Sequence, residues 1–210
     1  MIDITLTQFV NFIASQGLTR IETASLIRLQ SQMEYDVKKD FYKKIRENLV
    51  RFERRDTTLE QLRLALSSVT PSKRSSYRAL LSSYFTWRNR YSRVSFFEPP
   101  TGAWQSGQLR VRVNPELGLA LDGRRTLVKL HFKKNPLSEL RAAMILHIMH
   151  HALNGDFSVR VALLEVRTGE LHVLDEVNPD ASILIEAEAA ALVTAWRLLQ
   201  RRNVSIGDRG

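Results

Sequence analysis

The residues with the most chemical potential in this chain lie in one short stretch, Leu109 to Lys134. Pro115-Glu116 precedes a run of alternating leucines, Leu117, Leu119 and Leu121, and Asp122-Gly123 follows it. An Asp-Gly pair between two alternating runs is a strong hairpin signal, because a type I′ turn needs positive φ at both central residues. With those two residues as the turn, Leu121 faces Arg124 and Glu116 faces Lys129. Asn114 would then face His131. The hairpin gathers Glu116, Lys129 and His131 on its polar face, away from Thr126, Val128, Leu130 and Phe132. A carboxylate beside an ammonium and an imidazole is either a cross-strand ion pair or the residue of a phosphate-handling centre.

A second group of candidate ligands is His147, His150 and His151. His147 and His151 are one helical turn apart, a spacing that places two imidazoles on one metal. HIMHH lacks the glutamate of a His-Glu-x-x-His site, and no third ligand is evident, so the expected role is packing. There is no phosphate-binding glycine loop and no Gly-x-Ser-x-Gly elbow.

The third feature is a run without acids. Between Glu60 and Glu98 there is no Asp or Glu, while Arg63, Lys73, Arg74, Arg78, Arg88, Arg90 and Arg93 all fall there. Thr70-Pro71 supplies an N-cap and a first-turn proline for a helix reaching about Arg90. Tyr77, Leu80, Leu81, Tyr84, Trp87 and Tyr91 take one side of it and are expected in the core. Ser75, Arg78, Ser82, Thr86, Asn89 and Arg93 take another. Small hydroxyl residues beside arginines let a phosphate backbone approach closely, with two kinds of donor in reach. Lys73, Arg74, Arg78, Arg88, Arg90 and Arg93 are the expected nucleic-acid contacts.

Charge agrees with that expectation. The chain has 31 Lys and Arg against 22 Asp and Glu, net +9. Residues 1–98 hold 17 basic and 10 acidic residues, and residues 99–210 hold 14 and 12, so the excess sits in the first half. The absence of cysteine excludes disulfides, thiolate zinc sites and cysteine nucleophiles. No run of eighteen apolar residues predicts a spanning helix, and Met1 to Phe12 lacks a signal-peptide pattern. A cytoplasmic protein without a membrane partner is the expectation.

The elements that position these residues read as follows. Residues 1–95 form a basic helical region, with capping boxes at Thr19/Glu22 and Thr57/Glu60 and a buried stripe through Val37, Phe41, Ile45, Leu49 and Phe52. Phe96 to Gly107, with Pro99-Pro100 and two glycines, reads as a linker. A second domain at 105–205 reads strand, strand, strand, helix, strand, strand, helix, with Ser158 to Val166 a buried central strand and the last helix reaching about Arg202. The fold class is α+β with a mixed sheet.

Residues 73–90, KRSSYRALLSSYFTWRNR, resemble the last helix of the core-binding module of tyrosine recombinases, a small helical DNA clamp, over at most residues 5–90. No His-x-x-Arg box or late tyrosine nucleophile accompanies it. The order of elements in 109–202 resembles the PD-(D/E)XK, or restriction-endonuclease-like, nuclease superfamily. In that family an acid follows a proline on one strand, and a (D/E)-x-K tripeptide lies across the hairpin. Pro115-Glu116 matches the first position. At the second, Leu127-Val128-Lys129 keeps the lysine and lacks the acid, and Lys129-Leu130-His131 puts a cation in the acid's place.

The resemblance implies Glu116, Lys129 and His131 as a vestigial catalytic set with no metal and no cofactor. One carboxylate beside a lysine is a poor site for a hard dication. A nucleic-acid-binding protein, for DNA, that has lost metal-dependent catalysis is the expected function. Two alternatives stay open. One is an active Mg2+ or Mn2+ nuclease whose missing acid has migrated to Asp122, Glu139 or Glu165. The other is a non-enzymatic subunit binding an acidic protein, with oligomerisation also open.

Overall fold

The structure is a computed structural model that describes residues 1–32, 41–134, 136–153, 158–174 and 179–207. Its elements run β1 (Ile2–Thr5), α1 (Leu6–Ala14), α2 (Gly17–Gln32), α3 (Lys43–Glu53), α4 (Leu59–Ser67) and α5 (Pro71–Arg88). Then follow β2 (Val94–Phe97), β3 (Gly102–Ser106), β4 (Leu109–Val113), β5 (Leu117–Leu121), β6 (Arg124–His131), α6 (Glu139–Ala152), β7 (Arg160–Glu165), β8 (Glu170–Val173) and α7 (Pro179–Gly207). The chain is α+β, helical first and sheet-rich afterwards, and no described helix is long and apolar enough to cross a membrane.

A five-stranded sheet in the order β2-β5-β6-β7-β8 is the frame. β2, β5 and β6 are antiparallel neighbours, and β6 and β7 are parallel, joined through α6. Because strand side chains alternate between faces, β5 and β6 each supply two chemistries. Leu117, Leu119, Leu121, Val128 and Leu130 pack with Ala162 and Leu164 against Ile45, Leu62, Leu80, Tyr84 and Trp87 of α3 to α5. The opposite face lays Val161 and Leu163 under α6. Beyond α6 lies a three-stranded sheet, β1-β4-β3, with α1, α2 and α7.

The Asp122-Gly123 turn stands as the sequence predicts, with φ of 48° and 90° and Leu121 opposite Arg124. The linker does not. Phe96 and Phe97 belong to β2, where Phe96 pairs with Leu119, and Gly102–Ser106 is β3, paired along β4. The prolines are confined to the connection between them. Gly102 is there for close approach, since a Cβ at this position would collide with the Ala152 carbonyl. Both halves of the chain also contribute to both cores: Ile4, Phe9 and Ile27 share one with α6 and α7, and α3 to α5 share the other with β5 to β7. A break at 96–107 would therefore cut through strands. Limited proteolysis of the native protein should leave this segment intact while other loops are nicked. A first cut within 96–107, located by mass spectrometry, would mean that the pairing of β2 and β3 is weaker than their ladders imply.

Several local expectations shift. β1 is a strand that the sequence reading leaves unassigned. It pairs in parallel with β4, and its Thr5 caps α1 with Gln8 in a reciprocal box. Thr19 lies inside α2, which opens at Gly17, so the Thr19/Glu22 box is not a start. The α4 box is Thr58 with Gln61, one residue later than expected, since Thr58 is the residue with extended backbone. Val37 lies outside the described residues; Ile45 and Leu49 are buried in α3 as their spacing requires.

Candidate functional site

The hairpin places Glu116 and Lys129 together. Lys129 Nζ donates to Glu116 Oε1 at 2.7 Å and to the Asn114 carbonyl at 3.0 Å. Glu116 Oε2 accepts the Leu130 amide at 2.8 Å. Both side chains are about one-seventh exposed. The backbone ladder ends at Leu117–Val128, and the Glu116 amide reaches the Val128 carbonyl at 3.1 Å. The strand thus slips at Glu116, and its carboxylate takes over the amide that the ladder leaves. For the same reason Asn114 meets Lys129 and not His131.

His131 stands opposite Glu165 in the parallel β6–β7 register. Glu165 is buried and already engaged: its Oε1 accepts the Leu137 amide at 3.0 Å and lies 3.2 Å from His172 Nε2. The sequence reading names Glu165 only as a migrated acid and misses His172. The signal was an acid ending a continuously apolar strand, which must find donors when buried. The other two acids lie elsewhere. Asp122 is at the turn, where its Oδ1 accepts the Arg93 amide at 2.7 Å, and Glu139 opens α6. Among the described residues no three His, Asp or Glu side chains converge as a metal site. What the arrangement does chemically is hold one carboxylate charge-balanced and doubly hydrogen-bonded at a strand end.

The histidines of α6 pack. His147 and His150 are buried, and the His147 and His151 rings stand 4.4 Å apart. Burial, and then the neighbouring His151 and His150, push the His147 pKa below its ordinary value, so this imidazole is neutral at pH 7.

The acid-free run folds as most of α4, α5 and β2. Tyr77, Leu80, Tyr84 and Trp87 are buried, as their spacing predicts. α4 and α5 also enclose a groove of about 520 Å3, which Tyr77 helps to line. Its rim carries Arg63, Arg74, Arg78, Ser67, Ser82, Thr86 and Asn89 over a floor of Leu66, Leu81 and Phe85, and no carboxylate lines it. Arg63 joins this set through α4, a neighbour that the periodicity of α5 alone does not reveal.

Of the six expected contacts, Arg74 and Arg78 line the groove. Arg90 and Arg93 are exposed beyond the end of α5. Lys73 is half-buried with Nζ 5.0 Å from the Phe41 ring centre. Arg88 points elsewhere. Its Nε bonds Glu53 Oε1 at 2.6 Å, and its guanidinium lies over Phe52 at 5.7 Å. Glu53 is buried and also accepts the Tyr84 hydroxyl at 2.9 Å. Arg88 is thus the counter-ion of a buried acid, and the cavity it faces, about 400 Å3, also holds Glu53 and Asp56.

The groove and the Glu116–Lys129 pair lie on opposite sides of the sheet. α5 packs on the face of Leu117, Val128 and Leu130, whereas Glu116 and Lys129 alternate onto the face of Leu163. No protein-family model matches this chain, and no curated protein matches it.

Proposed function

We propose that this chain binds the backbone of nucleic acid, DNA in the first instance, through the α4–α5 groove, on a nuclease-like frame that has lost metal-dependent catalysis. The carrying observation is the groove: three arginines and four small polar side chains converge there without a carboxylate. Cations alone would suit any anion, but hydroxyl and amide donors interleaved with guanidinium groups suit a repeated phosphodiester. The net charge of +9 supplies the long-range attraction. Support for the nuclease-like frame is topological. The antiparallel hairpin of β5 and β6, then α6 and the parallel strand β7, follow the order that the restriction-endonuclease resemblance implies, whereas β4, the first strand of that reading, lies in the other sheet between β1 and β3. On this reading Glu116 takes the first motif position and Lys129 lies across the hairpin, with Leu127 or Lys129 where the family has its second acid.

The test is binding and cleavage in one protein preparation. Labelled duplex DNA should bind with an affinity that falls steeply with salt, and plasmid should remain intact in millimolar Mg2+ or Mn2+. Cutting that depends on metal and vanishes in Glu116→Ala would instead support an active nuclease with a migrated acid. Absence of DNA and RNA binding at low salt would leave an acidic protein as the partner of the basic surface.

A further inference from the structure

α7 carries an outward ridge of Ile183, Ala187, Ala190, Ala191, Thr194 and Leu198, all exposed, with Ile183 at 70% and Leu198 at 58%. Both flanks of the helix are fastened to its own chain. On one side Glu186 accepts from Ser106, and Arg197 donates to Gln108 at 2.8 Å. On the other Glu188 pairs with Arg20 of α2. The ridge between them has no charged residue from 183 to 198, in a chain with 53 charged side chains (31 basic, 22 acidic). The Thr194 hydroxyl donates to the Ala190 carbonyl of its own helix at 2.9 Å.

We infer that this ridge is the two-fold interface of a homodimer, with α7 packed antiparallel against α7 of a second copy. The argument is self-complementarity. A two-fold contact is isologous, so a surface that uses it must match its own reverse. Place the axis between Ala190 and Ala191. Ala190 then meets the partner's Ala191, Ala187 meets the partner's Thr194, and Ile183 meets the partner's Leu198. Large apolar residues pair at the ends and small ones at the centre.

Helical periodicity alone dictates that positions recur; it does not dictate that their sizes be palindromic. A different partner would need only an apolar ridge. The four small central residues also permit helix axes near the lower end of the roughly 8–10 Å range.

Sedimentation equilibrium of the full chain should give twice the 24.1 kDa chain mass. Ala190→Glu, which brings two carboxylates together at the axis on an exposed helix position, should return the mass to one chain with an unchanged circular dichroism spectrum. The chain has no cysteine, so Ala191→Cys introduces a single thiol beside the axis. Mild oxidation should link it to its mate, while Ser72→Cys on exposed α5 should stay unlinked. A single-chain mass for the wild type would give the ridge to another occupant and overturn the proposal. So would a dimer that survives Ala190→Glu, or equal cross-linking at positions 72 and 191.

Discussion

Arg88→Ala should cost about 3–5 kcal/mol of folding stability, the range for removing one partner of a buried ion pair. The reason is the state of Glu53. Its side chain is 1% exposed, and Arg88 Nε at 2.6 Å is the cation that balances it. The Tyr84 hydroxyl bonds the same oxygen, and burial, followed by the Glu53 charge, raises the Tyr84 pKa well above its ordinary value, so it remains a neutral donor. Without Arg88 the carboxylate keeps one neutral hydrogen bond and no counter-ion. For a chain of this size each kcal/mol is worth roughly 2–4 °C in Tm.

Arg78→Ala, on the exposed side of the same helix, should change stability by no more than about 0.5 kcal/mol. Urea unfolding followed by tryptophan fluorescence separates the two, because Trp87 is buried on α5. The double variant Arg88→Ala/Glu53→Leu should recover part of the loss, since no buried charge is then left alone. An Arg88→Ala protein as stable as wild type but weakened in DNA binding would return Arg88 to the nucleic-acid surface.

That prediction marks a limit of what the sequence discloses. The helix, its aromatic core face and its proline start are legible because they follow from spacing within one element. Arg78 and Arg88 lie ten residues apart on that helix and look alike in sequence. What draws Arg88 inward is Glu53, which sits on α3, thirty-five residues before it. The hairpin is legible for the converse reason. A two-residue turn fixes register by counting, so Glu116 and Lys129 can be placed opposite each other before any coordinates exist. The count holds to Leu117–Val128 and fails at Glu116, where the ladder slips; the Glu116 carboxylate still reaches Lys129, and so does the Asn114 carbonyl.

β1 is four residues long, and its parallel partner β4 begins more than a hundred residues on, so no local pattern announces it. The Pro-Gly segment misleads because glycine has two uses. At Gly102 it admits a neighbouring carbonyl, not a bend, and composition cannot tell these apart.

The groove yields the prediction on which the functional proposal depends. Arg63→Ala/Arg74→Ala/Arg78→Ala should flatten the log-log dependence of DNA affinity on salt by about 2–3 units. Each phosphate that a cation neutralises releases counter-ions worth about 0.9 of slope on duplex and about 0.7 on single strands. Three contacts therefore account for about 2.7 on duplex, so raising salt from 50 to 200 mM should weaken the wild type about 40-fold more than the variant. Ser67, Ser82, Thr86 and Asn89 remain in the variant, so residual binding should persist with a shallow slope.

Stability is the necessary control, and it should be close to wild type because Arg63, Arg74 and Arg78 are exposed and Arg74 reaches the Val69 carbonyl only at 3.5 Å. Arg90→Ala/Arg93→Ala, which removes two exposed cations outside the groove, tests whether position or total charge matters. If the groove is the contact surface, that pair should flatten the slope far less than the triple variant does. Equal flattening per charge removed would mean a diffuse electrostatic surface. An unchanged slope in a folded triple variant would remove the α4–α5 groove from the interface altogether.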